Sequence, residues 1–155
     1  MQFNTRQDID APIAYVYQRI TNFEAYERQA LRQGAHVARR DGSGPAQVGS
    51  SWDVVFTFRN KERELRATLT ELTAPQEIAV DTDAKGLASA LRVSLLALSA
   101  QTTRVDVTID ISAKSLSARL LLQSLKLAKS NLQARFEKRV REQLRRVEVD
   151  YQRGS

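Results

Sequence analysis

Cysteine is absent from the chain, and histidine occurs once, at His36. Without cysteine there is no disulfide, no thiolate nucleophile and no cysteine-ligated zinc site, and one histidine disfavours other zinc sites. A Ser-His-Asp triad would need His36, but the sequence has no G-x-S-x-G motif and no acidic residue within four positions of His36. We therefore expect no cofactor and recognise no catalytic motif, which leaves enzymatic activity open but favours a non-enzymatic role.

Long apolar runs and targeting signals are also missing. No apolar stretch approaches the roughly 20 residues that span a bilayer, so we expect no integral membrane contact. The first twelve residues, MQFNTRQDIDAP, do not combine a basic stretch with an apolar run. A chain without cysteine suits a reducing compartment, so the expected location is the cytoplasm.

The excess positive charge is confined to the C-terminal segment. Residues 114–150 contain ten Lys/Arg and four Asp/Glu, which equals the net charge of +6 of the whole chain. This pattern is typical of a solvated helix face, although a weak contact with an anionic surface through Lys126–Arg146 is also possible. Phe136 is the one aromatic residue in that region, so bases have no stacking platform and we expect no nucleic-acid partner.

Hydropathy periods predict one strand, two short helices and then a series of strands. Apolar residues at helical spacing begin at Ile13, after Asp10 as a candidate N-cap and Pro12 in the first turn. A second short helix is predicted over Phe23–Gln33, before Gly34. The alternating segments that predict strands are Gln2–Ile9, Ala35–Arg40, Trp52–Phe58, Leu65–Thr70, Ile78–Thr82, Leu87–Leu98 and Val105–Ile111.

The last third of the chain has a different pattern. No glycine or proline occurs from Leu87 through Arg153, and apolar residues from Leu121 to Val147 recur about every 3.7 positions, close to the helical repeat. We expect one uninterrupted helix from Lys114 to Asp150, capped by Ser112 or Ser115. At 1.5 Å per residue it would be about 55 Å long.

Short connections between the strands favour an antiparallel meander with one apolar face. The long helix is the only element large enough to cover that face. The predicted class is therefore α+β, with a curved antiparallel sheet wrapped around the C-terminal helix. A twisted sheet that bends around a helix leaves a wedge between the two, and a ligand pocket would form there.

Three short segments carry a resemblance to a known superfamily. They are Asp10-Ala11-Pro12 with Val16 and Tyr17, the run Thr21-Asn22-Phe23-Glu24-Ala25-Tyr26, and Val48-Gly49-Ser50-Ser51-Trp52. In this order they resemble the SRPBCC superfamily, which includes START-like lipid-transfer proteins, birch-pollen-allergen-like proteins and polyketide cyclases/dehydrases. The resemblance spans nearly the whole chain and implies a helix-grip fold with an apolar cavity. We expect a single domain over residues 1–152 and a disordered tail over 153–155.

Face assignment and the resemblance together select candidate ligand-binding residues. Aromatic and aliphatic side chains that share the concave face would either line a pocket or fill the core. Phe23 and Tyr26 would gate the entrance, and Arg39 could bind a ligand carboxylate. The remaining candidates are Trp52, Val54, Phe56, Phe58, Leu91, Val93, Leu121 and Leu125.

The leading functional hypothesis is binding or carriage of an apolar or amphipathic small molecule, such as a lipid, fatty acid or polyketide-like compound. One alternative is a cyclase/dehydrase-type enzyme, which requires at least two convergent polar side chains deep in the pocket. A second alternative is a peripheral membrane protein, or one that binds a protein partner, through the basic C-terminal helix. The carboxylates Asp106 and Asp110 lie opposite the apolar face of their strand, so we expect them to point to water.

Overall fold

A computed structural model describes residues 1–154, which form one antiparallel sheet of seven strands and four helices. The N-terminal elements are β1 (Gln2–Ile9), α1 (Ile13–Ile20) and α2 (Phe23–Arg32). The strands that follow are β2 (His36–Arg39), β3 (Ser51–Phe58), β4 (Lys61–Thr73), β5 (Glu77–Ala84), β6 (Leu87–Ser99) and β7 (Thr102–Ala113). The C-terminal helices are α3 (Leu116–Leu127) and α4 (Lys129–Gln152).

The sheet is a meander with its first strand added at the β7 edge. The strand order is β1-β7-β6-β5-β4-β3-β2, and all neighbouring pairs are antiparallel. Because side chains alternate along a strand, one face collects the apolar residues and the other collects charged ones. On the polar face Arg6 pairs with Asp106 at 3.2 Å and Arg104 pairs with Asp8 at 2.9 Å. The predicted α+β architecture is confirmed.

The two short helices after β1 form as predicted, with one correction at their start. Pro12, rather than Asp10, occupies the N-cap position of α1, and it has no side-chain acceptor. Asp10 instead donates its backbone N–H to Glu148 of α4 at 2.6 Å. In α2 the Asn22 side chain accepts from the N–H of Ala25 at 3.2 Å, which caps the helix.

The expected single C-terminal helix is wrong in one respect, because it is interrupted at Ala128. That residue has φ −105° and ψ 18°, and its N–H donates to the carbonyl oxygen of Leu125. The two parts bury different surfaces, which explains the break: α3 buries Ala118 near β6 and β7, whereas α4 buries Leu144 and Val147. Ser115 caps α3, as one of the two predicted candidates.

Two apolar clusters hold the helices on the concave face of the sheet. The larger contains Val16 of α1, Val105 of β7 and Val147 of α4, each at most 1% exposed. The smaller contains Trp52, Leu69 and Ile78 of β3, β4 and β5. Aromatic contacts fasten α4 along its length: Phe136 lies 6.1 Å from Phe3, and Tyr151 lies 5.0 Å from Tyr15, between ring centroids.

The end of the chain is only partly described. Arg153 and Gly154 donate backbone hydrogen bonds to Val149 and Tyr151 and so close α4. The disordered tail stays a prediction, and its last residue, Ser155, lies outside the described residues. Within residues 1–154, no helix has the length and apolarity needed to cross a bilayer.

We predict that Leu69→Ala lowers the free energy of unfolding by about 3 kcal/mol, because it removes a fully buried side chain from the smaller cluster. The matched control is Leu127→Ala, at a position that is 92% exposed, which should change the free energy by less than about 0.5 kcal/mol. Urea unfolding of both variants measures the difference. Equal destabilisation by the two substitutions would contradict this account of the core.

Candidate functional site

A cavity of about 430 Å³ lies between the concave face of the sheet, α2 and α4. Fifteen of its 18 lining residues are apolar, and the three polar ones are Tyr26, Glu27 and Gln143. The helices provide Ile20, Phe23, Ala30, Val140 and Leu144, and the strands provide Val37, Trp52, Val54, Ala67, Ile78, Val80, Leu91, Val93, Val105 and Val107. The site is therefore a large apolar space with few polar groups.

Six of the candidate residues share this cavity. Leu91 and Val93 of β6 line it together with Trp52 and Val54 of β3, and Phe23 and Tyr26 of α2 complete the group. A tilted contact between the rings of Phe23 and Trp52, with centroids 5.5 Å apart, joins α2 to the sheet. Their contact with a ligand stays a prediction.

Four apolar candidates lie outside the wall of this cavity. Phe56 and Phe58 share the face of Val54, but they lie farther along β3 towards the turn into β4, and Phe58 is 40% exposed. Leu121 and Leu125 belong to α3, and the break at Ala128 directs that helix over a different part of the sheet than α4. In the predicted continuous helix, these two leucines would belong to the same apolar stripe as Leu144.

Several further cavity residues come together only in the folded chain. Val105 and Val107 belong to an apolar strand face, but alternation does not tell which positions along that face meet a void. Val140 and Leu144 belong to the predicted helical stripe and face the cavity because α4, rather than α3, crosses it. Glu27 has no signal in the sequence, since its role depends on Trp52, which is 25 positions away.

The polar groups near the cavity bind other parts of the protein. Trp52 donates its indole N–H to Oε1 of Glu27 at 2.6 Å, and Tyr26 donates its hydroxyl to the carbonyl oxygen of Ile20 at 2.9 Å. Loss of solvation at the hydroxyl raises the pKa of Tyr26, although the residue as a whole is 38% exposed. Among residues 1–154, no group of three or more His, Cys, Asp or Glu is placed to share a metal ion.

Arg39 does not line this cavity, because its guanidinium binds the loop that follows β2. Nε and one Nη each donate to Asp41 at 2.9 Å, and the same Nη donates to Ser50 at 3.2 Å. The guanidinium also lies 5.9 Å from the Trp52 ring centroid. Arg39 thus holds the loop close to Trp52 and lines a second cleft there. Its binding of a ligand carboxylate stays a prediction.

Other charged candidates lie on the surface. His36 is exposed, and Asp106 and Asp110 lie on the polar face of β7, as expected from the alternation. A cleft between α4 and the end of α2 is lined by basic residues of α4 and by Glu142. The basic residues are Arg135, Lys138, Arg139 and Arg146. Contact of the Lys126–Arg146 region with an anionic surface stays a prediction.

The Arg39–Asp41 ion pair predicts a pH dependence of stability. Hydrogen bonds from Arg39 and Ser50 hold the pKa of Asp41 far below its usual value of about 3.9. The pair therefore contributes stability above about pH 4, and this contribution is lost as the pH falls towards the folded-state pKa. We expect the urea midpoint to fall more steeply between pH 5 and pH 2 in the wild type than in Asp41→Asn. Parallel curves would refute the assignment.

Comparison with known proteins gives structural matches only. No family model matches the chain, and no curated protein matches it in sequence. Many solved structures are similar to the chain, among them three that match over nearly its full length. Norcoclaurine synthase from Thalictrum flavum has a TM-score of 0.68 and 9% identity, and the match covers 98% of this chain and 96% of that one.

The other two matches come from bacteria. TTHA0849 from Thermus thermophilus has a TM-score of 0.66 and 16% identity, with coverage of 95% of this chain and 97% of that one. The ZhuI aromatase/cyclase from Streptomyces sp. R1128 has a TM-score of 0.64 and 15% identity, with 95% of both chains covered. Identities this low establish the fold and leave the activity open. The chain therefore has the helix-grip fold that these proteins share, which is the fold that the sequence resemblance implied.

Proposed function

We propose that this protein binds an apolar or amphipathic small molecule in the cavity between the sheet, α2 and α4. The observation that carries the proposal is the cavity itself: about 430 Å³, with 15 apolar residues among the 18 that line it. Small-molecule sites usually have volumes of about 300–1,000 Å³ and mainly apolar walls. We also propose a cytoplasmic location, on the basis of the cysteine-free sequence.

The energetics of the cavity support a natural occupant. The wall exposes apolar side chains to a space that is partly open to solvent. Water in this space finds few hydrogen-bond partners, because a water molecule needs two to four polar groups and this wall provides few. A ligand with an apolar body would bury the wall at about 25 cal/mol per Å².

The polar groups favour binding over catalysis. A cyclase/dehydrase-type enzyme needs polar side chains that converge on the substrate. Here the indole of Trp52 and the carboxylate of Glu27 bind each other, and the Tyr26 hydroxyl binds a backbone carbonyl. Gln143 is the remaining polar residue of the wall. The aromatase/cyclase among the structural matches supports the enzyme alternative only at the level of the fold.

The proposal can be tested with the single tryptophan of the chain as a reporter. Because Trp52 lines the cavity and is 6% exposed, a ligand that enters should change its emission. Native mass spectrometry of the purified protein would detect a ligand that co-purifies. The fluorescence titration then uses a panel of fatty acids, fatty alcohols and polycyclic aromatic compounds.

We predict that Val54→Phe, which fills the cavity, weakens binding by at least about tenfold without lowering the thermal stability. Val55→Phe is the matched control, because the same substitution on the same strand then lies on the opposite face of the sheet. It should leave the affinity within about twofold. If no compound of the panel binds, or if the two variants lose affinity equally, the proposal is wrong.

A further inference from the structure

Two arginines at the end of the sheet near α3 have no acidic partner. In the rest of the sheet, arginines pair with carboxylates within 3.3 Å, and these are Arg6, Arg39, Arg40, Arg66, Arg92 and Arg104. Within residues 1–154, Arg59 and Arg63 form no ion pair. Both belong to the hairpin that joins β3 to β4.

Arg63 lies on the same face of the sheet as the cavity. It is directly opposite Phe56 in the β3–β4 register, whereas Leu65 is opposite Val54 and Ala67 is opposite Trp52. Directly opposite residues have their side chains on one face, and Ala67, Val54 and Trp52 line the cavity. Arg63 therefore lies along the same concave surface, about 13 Å along β4 from Ala67.

The guanidinium of Arg63 lacks a full set of hydrogen bonds. Its Nε is inaccessible to solvent and has no hydrogen-bond partner within the described structure. An arginine normally satisfies its donors with a carboxylate, phosphate or carbonyl group, and a buried donor without a partner is costly. The guanidinium of Arg63 is therefore a positive charge without a counter-ion among residues 1–154, on an otherwise apolar face.

Arg59 brings a second guanidinium to the same place. The Cζ atoms of Arg59 and Arg63 lie 5.3 Å and 5.8 Å from the ring centroid of Phe58. Arg59 and Asn60 have φ values of 54° and 60°, the left-handed conformation of a two-residue hairpin turn. Both Nη atoms of Arg59 are 3.5 Å from the hydroxyl of Ser124, so α3 forms the opposite wall.

We infer that the ligand is an amphiphile with a carboxylate or phosphate head, whose apolar body occupies the cavity and whose head binds between Arg59, Arg63 and Ser124. This inference rests on the proposed binding function and adds the chemical class of the ligand. The concave surface connects the two parts through Val54, Leu65 and Phe56. Two guanidinium groups without competing carboxylates match the charge of such a head.

Three probes with the same ten-carbon chain separate the head from the body: decanoate, decyl phosphate and 1-decanol. Titration of Trp52 fluorescence reports entry of the chain into the cavity for all three. The wild type should bind at least one anionic probe about tenfold more tightly than decanol. The ratio between decanoate and decyl phosphate identifies which head the site accepts.

Variants on one hairpin provide the controls. Arg63→Gln and Arg59→Gln should each reduce the preference for the anionic probe to within about threefold of decanol, with the affinity for decanol unchanged. Arg59 is exposed, so its replacement tests the site without disturbing the core. Arg66→Gln, on the polar face of β4 where Arg66 pairs with Asp53, should keep the wild-type preference. If Arg66→Gln also loses the preference for the anionic probe, the effect of the arginines is one of nonspecific charge and the inference is overturned.

The outcomes distinguish this inference from the proposed function. If decanol and the anionic probes bind the wild type equally, the cavity binds ligands but the arginine site is wrong. If Arg63→Gln weakens decanol and decanoate by the same factor, the arginine supports the fold and does not bind the head, which also overturns the inference. If none of the three probes binds, both proposals fail.

Discussion

The structure depends on how the concave apolar face of the sheet is covered. Seven strands present a wide surface, and no single helix within residues 1–154 covers it. α4 packs beside β1 and α1, α3 lies near β6 and β7, and α2 closes the side near β2. The space left between α2, α4 and the middle strands is the cavity. The site is thus a consequence of incomplete coverage of the sheet by the helices. The rings of Trp52 and Phe23 are in contact where α2 meets the sheet.

The distribution of charge reinforces this division. Ion pairs cluster on the polar face and at the edges of the sheet, where the charged groups remain in contact with water. The cavity wall, in contrast, is almost free of charged groups. The polar groups closest to the cavity form hydrogen bonds within the protein, as the pair of Trp52 and Glu27 illustrates. Among the arginines of the sheet and its connections within residues 1–154, Arg59 and Arg63 form no ion pair, and the inferred anionic head of the ligand rests on these two side chains. Affinity would come from burial of the apolar body, while the arginines would select the head.

The fold could be predicted well from the sequence because the signals are local. Alternation located the strands, and helical spacing located α1 and α2 to within one or two residues. The same alternation placed Trp52, Val54, Leu91 and Val93 on one face, and the structure places all four at the cavity. Phe56 has an identical local signal and lies outside the wall, because position along the strand relative to the helices decides which residues meet the void.

The sequence by itself determined the order of the elements, the apolar face of each strand, and the exclusion of cysteine chemistry. These follow from residue type and period, which act over a few positions. Tertiary structure decided the break at Ala128, the hydrogen bond between Trp52 and Glu27, and the lack of a hydrogen-bond partner for Nε of Arg63 within residues 1–154. Each of these depends on which distant groups come into contact when the sheet bends around its helices. No local pattern encodes such contacts, because packing, rather than intrinsic preference, sets where a helix ends and where a side chain finds a partner.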